Sequence, residues 1–481
     1  MIRTAKTWGR DALQQLVLSA AVRGADLTLR VPGLRNLFLD RLLAWLDTSW
    51  SDCEPDSEKQ RNARWFAQQM NPWLHRLIDE RPAAARAVLR FLATWIVEVY
   101  KRTDDQRTGL ATPCTVVLEP TDRCNLSCPG CYAKSTHDGC DLSYEQMEAI
   151  IEELARMNVT LITISGGEPF LRERAERTLT RLGERFNNRG FLIYTNGTLI
   201  DEPTAERMCK VGNLFPAISV EGFEHQTDAR RGKGVYEKNR QVRRLLAVHQ
   251  VMTGFSATVT RENVESICQD AFIELRTAEG DLFGWFFLLQ PIGRSPRPDL
   301  MVTADQRAML RETIFRWRQE RRPIFLGDFW NDGPLVGGCI AGGRYYFHIY
   351  ANGDISPCVF SPVACGNIFD IINGTSPYKR LWDFVQDNPV FRAFRAEQDR
   401  VTDRARPCML IDHPEAFRRI WQVEGCRAGK NMTEGYVDGQ IAQVIDRVAG
   451  EWAARAPHLP PLPCERPQPA GEYAQQTASV C

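Results

Sequence analysis

Apolar positions recur along this chain in two rhythms, and the change between them divides it. Up to about residue 110 they return every three or four positions, as in Leu37-Phe38-Leu39-Asp40-Arg41-Leu42-Leu43-Ala44-Trp45-Leu46 and again from Ala87 to Tyr100. That spacing predicts amphipathic helices. They read as a helical cap packed on a neighbour, with a lipid- or partner-receiving surface as the alternative. From about 112 to 295 there are six short strand-like runs: Thr115–Glu119, Leu161–Ser165, Phe191–Thr195, Phe215–Val220, Thr253–Thr260 and Trp285–Pro291. Helix-like stretches separate them, at Ser143–Met157, Glu173–Phe186, Thr204–Val211, Tyr236–His249 and Glu262–Thr277. Such alternation predicts a parallel sheet with helices outside. Six units are too few for a full eight-fold barrel. The predicted architecture is therefore α/β, a partial (β/α)6 barrel with its chemistry at the C-terminal ends of the strands.

After residue 300 the pattern shifts to α+β. Ala304–Gln319 reads as a helix, and Arg344–Tyr350 and Ile355–Val359 flank the turn Ala351-Asn352-Gly353-Asp354. An Asn-Gly pair supplies the positive backbone angles a tight hairpin needs. Four regions result: helical 1–110, barrel 111–300, a cysteine-bearing extension 301–425, and a C-terminal helix with a flexible Pro-rich tail, 426–481.

Composition narrows the chemistry. Sixty basic residues balance sixty acidic ones, which gives no support for a nucleic-acid partner. No apolar run is long enough to span a bilayer, and the first residues make a poor signal peptide, so a cytoplasmic protein is expected, with at most peripheral membrane contact. Fifteen cysteines, an odd count in a large chain, argue for metal or cluster ligation over a disulfide framework.

Cys124-Asn125-Leu126-Ser127-Cys128-Pro129-Gly130-Cys131 comes directly after the first strand. Three thiolates in one loop can hold three corners of an iron–sulfur cube, where an electron-transfer cube takes four. The fourth iron stays open, as a catalytic metal keeps a position for substrate. Zinc sites favour well-separated Cys-x2-Cys pairs instead.

This loop, together with the strand-end motifs after it, resembles the radical S-adenosylmethionine (radical SAM) superfamily, whose signature is Cys-x3-Cys-x2-Cys after the first strand. Gly166-Gly167-Glu168-Pro169 ends the second strand and looks like the family's segment for the methionine amino group. The resemblance implies roles at Ser219 and Arg231 toward the methionine carboxylate and ribose, with Arg230 a rival. It places Asn196 and Glu221 on the ribose side. It also implies a [4Fe-4S] cluster on Cys124, Cys128 and Cys131, S-adenosyl-L-methionine on the open iron, and its reductive cleavage to a 5′-deoxyadenosyl radical that abstracts a substrate hydrogen atom. A flavodoxin- or ferredoxin-type reductant would supply the electron. The family often has an aromatic residue where this chain has Gly130, so adenine must pack elsewhere, with Gln290-Pro291-Ile292-Gly293-Arg294 a candidate for adenine edges or substrate.

A second set, Cys339, Cys358, Cys365 and Cys408, surrounds the hairpin and resembles the auxiliary-cluster extensions named SPASM and twitch. The full seven-cysteine pattern is absent, so one auxiliary [4Fe-4S] cluster is expected. Cys339, Cys358 and Cys408 are its ligands and Cys365 the fourth candidate, an open iron being the alternative. Cys426 is undecided. Asp328 and His348 are candidates to move a proton, though a structural role is the better reading of both. A small molecule or lipid ranks slightly ahead of a peptide as substrate. A non-enzymatic electron carrier and a zinc hydrolase are the competing readings.

Overall fold

The computed structural model describes residues 70, 72–89, 91 and 112–459. The apolar run at 37–46, most of that at 87–100, and the Pro-rich tail from 460 lie outside them.

All six predicted strands form, as β1 (Thr115–Leu118), β2 (Leu161–Ile164), β3 (Gly190–Thr195), β4 (Leu214–Ser219), β5 (Gly254–Val259) and β6 (Phe283–Leu288). The sheet runs further than predicted. β7 (Phe325–Asp328) adds parallel to β6, and β8 (His348–Ile349) adds parallel to β1 on the opposite edge. With β9 (Ile355–Ser356), the order β7-β6-β5-β4-β3-β2-β1-β8-β9 makes an open barrel whose two edge strands are β7 and β9. β9 pairs antiparallel with β8 across the predicted Asn-Gly turn, with His348 opposite Ser356. β7 was not legible because four residues behind Arg321-Arg322-Pro323 carry no periodic signal.

The helices obey local rules. Tyr144–Arg156 starts with a full capping box between Ser143 and Gln146, and Ala304–Gln319 with one between Thr303 and Gln306. The predicted helix Glu173–Phe186 is two, Phe170–Glu176 and Thr178–Arg185, broken where Arg177 turns left-handed at φ 55°. Glu173 is buried at that break and accepts from the Thr180 backbone N–H and hydroxyl.

The strands are buried on both faces because helices cover one and the barrel interior takes the other. Val116, Ile162, Ile164, Ile193, Ala257 and Phe286 pack outward beneath the helices. The helical segments 72–80 and 82–89 lie across the opposite end of the barrel. There Trp73, Leu74 and Leu77 join Leu161, Phe215, Met252, Phe283 and Phe325, residues at or near strand starts. Arg76 secures them by donating to the carbonyls of Asp281 (2.8 Å) and Thr277 (2.7 Å). The predicted helical cap is thus, for its described part, a floor to the barrel.

Candidate active site

Inward-facing residues alternate along each strand and line one cavity of about 260 Å³. Thr115 and Val117, Thr163 and Ser165, Leu192 and Tyr194, Ser256 and Thr258, and Trp285 and Phe287 form its walls. The mouth carries Cys124, Cys128 and Cys131 with Gly166, Gly167, Glu168, Asn196, Ser219, Arg230, Arg231 and Gln290. Of the eight residues predicted to meet the nucleotide, Gly166, Gly167, Glu168, Asn196, Ser219 and Arg231 line this cavity; Pro169 and Glu221 do not.

The cysteine loop is clamped from three sides. Cys124 N–H donates to Thr136 O at 2.8 Å. Arg294 donates its backbone N–H to Cys131 O (2.9 Å) and its guanidinium to the carbonyls of Cys128 (3.2 Å) and Ser135 (2.6 Å). Gly130 sits at φ 65°, the left-handed region a side chain resists, which accounts for glycine there. Burial pushes the Cys124 thiol up to about 11. Such a thiol ionises when a metal takes its proton's place.

The Gly-Gly-Glu segment works by close approach. Gly167 lets β2 lie against the loop, since a Cβ there would stand 1.9 Å from Arg123 O. Gly167 and Glu168 donate backbone N–H groups to Thr121 O (2.9 Å) and Arg123 O (2.8 Å). The Glu168 carboxylate, 1% exposed, accepts from the Thr195 hydroxyl (2.7 Å), Asn196 N–H (2.7 Å) and Phe170 N–H (3.1 Å). Burial raises its pKa against those bonds. Asn196 donates from Nδ2 to Asn125 Oδ1 at 2.9 Å, which ties the end of β3 to the cysteine loop.

Glu221 sits behind the cavity wall. Its Oε1 accepts from Arg230 (2.9 Å) and Arg231 (2.5 Å), and its Oε2 from Thr258 N–H. Burial pushes its pKa up, but the two guanidiniums outweigh burial and hold it below the ordinary value. Glu221 thus holds both guanidiniums by ion pairs behind the cavity wall. Both arginines line the cavity, and Arg230 also reaches toward the carbonyls of Pro129 and Gly130 at 3.4 Å. Ser219 faces the Ser256 hydroxyl at 3.4 Å.

The second cysteine set divides. Cys339, Cys358 and Cys408 line one small cavity beside Tyr346, Phe360 and Trp330. Burial drives the Cys358 thiol up to about 12 and raises those of Cys339 and Cys408. Phe329, Ile340, Tyr346 and Phe360 line this cavity and the barrel cavity alike, so one thin wall separates them. Cys365 lies outside that cavity, where burial and then the neighbouring Cys426 raise its thiol well above the ordinary value. The two thiols flank the antiparallel pair β10 (Val363–Ala364) and β11 (Arg427–Ala428), one residue beyond the match of Ala364 with Arg427.

Three residues gained significance only from the structure. Tyr132 lines the cavity, with its hydroxyl 2.5 Å from Ser165 Oγ and its ring 5.4 Å from Phe360. Glu119, fully buried at the end of β1, faces Lys430 Nζ at 2.6 Å and His348 Nε2 at 3.2 Å. Burial would raise its pKa, but Lys430 and then His348 bring it down to about 2. His348 is thus committed to that cluster, under the Tyr350 ring at 4.2 Å, and is absent from the cavity lining. Asp328 is buried beside Asn331 Nδ2 (2.8 Å), raised to about 6 by burial and the Asp332 charge, and also outside the lining. No local sequence signal links Glu119 to residues 229 and 311 positions later.

The residues fit an iron–sulfur cluster with a nucleotide. Three thiols share one cavity, glycines stand where a Cβ would strike the loop, and a buried Gln290 oxygen lacks a partner. Among the described residues no three His, Cys, Asp or Glu side chains gather closely enough to hold a single ion. No helix among them is long and apolar enough to cross a membrane.

Residues 118–271 match the radical SAM superfamily. The chain is 29% identical to mycofactocin maturase MftC of Mycobacterium tuberculosis, over 73% of this chain and 88% of that protein. It is 25% identical both to an AdoMet-dependent heme synthase of Methanosarcina barkeri (60% and 86% covered) and to a PqqA peptide cyclase of Granulibacter bethesdensis (68% and 85% covered). In fold it is similar to Streptococcus suis SuiB, in a crystal structure bound to precursor peptide SuiA, with TM-score 0.50, 16% identity, and 65% and 72% of the chains covered. The chain is a radical SAM enzyme, whose cofactors are S-adenosyl-L-methionine and [4Fe-4S] iron–sulfur clusters.

Proposed function

We propose that this enzyme abstracts a hydrogen atom from a side chain of a peptide substrate. Cys124, Cys128 and Cys131 would hold the nucleotide-binding cluster, and Cys339, Cys358 and Cys408 an auxiliary cluster. The observation that carries the reading is the shape of the cavity. Nucleotide and reacting group would share it, so a substrate would enter in part rather than whole. Tyr194, Trp285, Phe287, Phe329 and Phe360 give an apolar aromatic wall suited to one side chain. The similarity to a peptide cyclase supports a peptide over the small molecule or lipid that the sequence favours. Among the described residues the only cations lining the cavity, Arg230 and Arg231, are both engaged by Glu221, which is a poor setting for a multiply acidic small molecule.

When bound, the cluster and S-adenosyl-L-methionine supply a 5′-deoxyadenosyl radical by reductive cleavage. The chain's own part is orientation and exclusion. Arg230 and Arg231, held by Glu221, offer guanidinium donors to a carboxylate. Glu168 fixes the end of β3 against the loop, and the aromatic walls keep water from the reacting carbon. A flavodoxin- or ferredoxin-type reductant completes the system. A cytoplasmic location suits twelve cysteines in thiol form among the described residues.

Anaerobic reconstitution should load about eight irons per chain, as two cubes. Reductant and S-adenosyl-L-methionine should then release 5′-deoxyadenosine. With a side-chain-deuterated peptide encoded beside this gene, deuterium should appear in that product. Deuterium arriving only from a small molecule refutes the peptide reading, and no 5′-deoxyadenosine from fully loaded protein refutes the whole.

A further inference from the structure

We propose that Tyr346 is a positioning residue of the auxiliary site, whose hydroxyl donates a hydrogen bond to the Cys358 sulfur and thereby raises the reduction potential of the cluster held there. This rests on the assignment of Cys339, Cys358 and Cys408 to an auxiliary cluster above, and adds to it a residue that is not a ligand. Tyr346 Oη lies 2.9 Å from Cys358 Sγ, and both residues are buried. A sulfur that ligates iron has no proton to give, so the phenol, which keeps its proton at neutral pH, is the donor. The Phe360 N–H donates to the same sulfur at 3.4 Å, which gives Cys358 two donors.

Comparison of the two cysteine sets singles the hydroxyl out. Backbone donors occur in both: Leu410 N–H reaches Cys408 Sγ and Leu126 N–H reaches Cys124 Sγ, each at 3.4 Å. In the barrel loop the side-chain donor to Cys124, Asn196 Nδ2, stands off at 3.9 Å and is already engaged by Asn125. The tyrosine is held from its own backbone, its N–H donating to Ile340 O (3.2 Å) and its carbonyl accepting from Gly343 N–H (3.0 Å). Its ring packs edge-on to Phe329 with centroids 6.1 Å apart, and the residue lines both cavities. A donor aimed at a cluster sulfur favours the reduced, more negative form, the more so where water is excluded. The hydroxyl therefore makes the auxiliary cluster easier to reduce, on the side that faces the barrel. The rival role is that of a plain wall residue, in which phenylalanine would serve as well.

The test compares anaerobically reconstituted wild type with Tyr346→Phe, which keeps the ring and removes only the oxygen. Iron is counted, and each protein is titrated with reductant while its electron paramagnetic resonance is followed. The signal that responds to S-adenosyl-L-methionine marks the other cluster. Tyr346→Phe should still load about eight irons. Its auxiliary midpoint should become more negative by about 59 mV, a tenfold change in a one-electron equilibrium, while the S-adenosyl-L-methionine-responsive midpoint stays put. An unchanged auxiliary midpoint, or a fall shared by both clusters, overturns the proposal. So does a Tyr346→Phe protein that lacks the auxiliary irons, since the hydroxyl would then build the site and not tune it. Wild type that loads only about four irons would defeat the auxiliary-cluster assignment itself, a separate failure.

Discussion

Lys430→Met tests the buried charge cluster beneath the cysteine loop. Lys430 Nζ lies 2.6 Å from Glu119, whose side chain is fully buried. Glu119 is held at about 2 against an ordinary 4.5, so its ionisation contributes about 3 kcal/mol at neutral pH. Because the folded pKa is the depressed one, that contribution is complete above pH 4.5 and is lost as pH falls toward 2. Removing Lys430 leaves a buried carboxylate whose remaining partner, His348 at 3.2 Å, compensates only as an imidazolium. Breaking a buried pair from one side costs about 3–5 kcal/mol. The sign of the pH dependence then reverses. Glu119 becomes easier to protonate folded than unfolded, so the variant should gain stability as pH drops from 7 toward 5, where wild type does not gain from this group. Urea unfolding of cluster-free protein, monitored by circular dichroism at both pH values, reads the effect. A Lys430→Met protein as stable as wild type at pH 7, with no recovery at pH 5, refutes the reasoning. Glu119→Gln in the same background should restore part of the loss, because no charge is then stranded.

Other substitutions separate the roles assigned to the site. Gly167→Ala places a Cβ 1.9 Å from Arg123 O and should displace the cysteine loop, with loss of about half the bound iron by colorimetric assay. Cys365→Ser should leave iron content unchanged, whereas Cys408→Ser should remove the auxiliary cluster's share, because Cys365 sits with Cys426 and away from Cys339, Cys358 and Cys408. Glu221→Gln should weaken S-adenosyl-L-methionine binding about tenfold by loosening Arg230 and Arg231, without changing iron content.

How much of this was legible in sequence depends on distance along the chain. The six strands, the capped helices and the Asn-Gly hairpin obey local rules, and the structure has them, the six strands to within three residues at either end and the hairpin strands cut back to His348–Ile349 and Ile355–Ser356. The three-cysteine loop and Gly166–Glu168 are local in the same sense, since each sits on one strand end. What escaped depends on residues far apart. β8 joins the barrel by pairing with β1 more than two hundred residues earlier, and a two-residue strand leaves no periodicity to read. Glu221 reads as a ribose-side residue in sequence, where nothing shows that Arg230 and Arg231 fold back onto it. Cys365 looks like a fourth ligand by count alone; only the register of β10 with β11 sets it beside Cys426. Gln290 sits in a segment singled out for adenine or substrate, yet its unmet oxygen is a property of the fold.

The helices across the strand starts have a kinetic consequence. With Trp73, Leu74 and Leu77 stoppering one end, traffic through the barrel as formed by the described residues uses the cysteine-bearing mouth. Whatever lodges deepest must arrive first and depart last, so the enzyme should show compulsory-order kinetics.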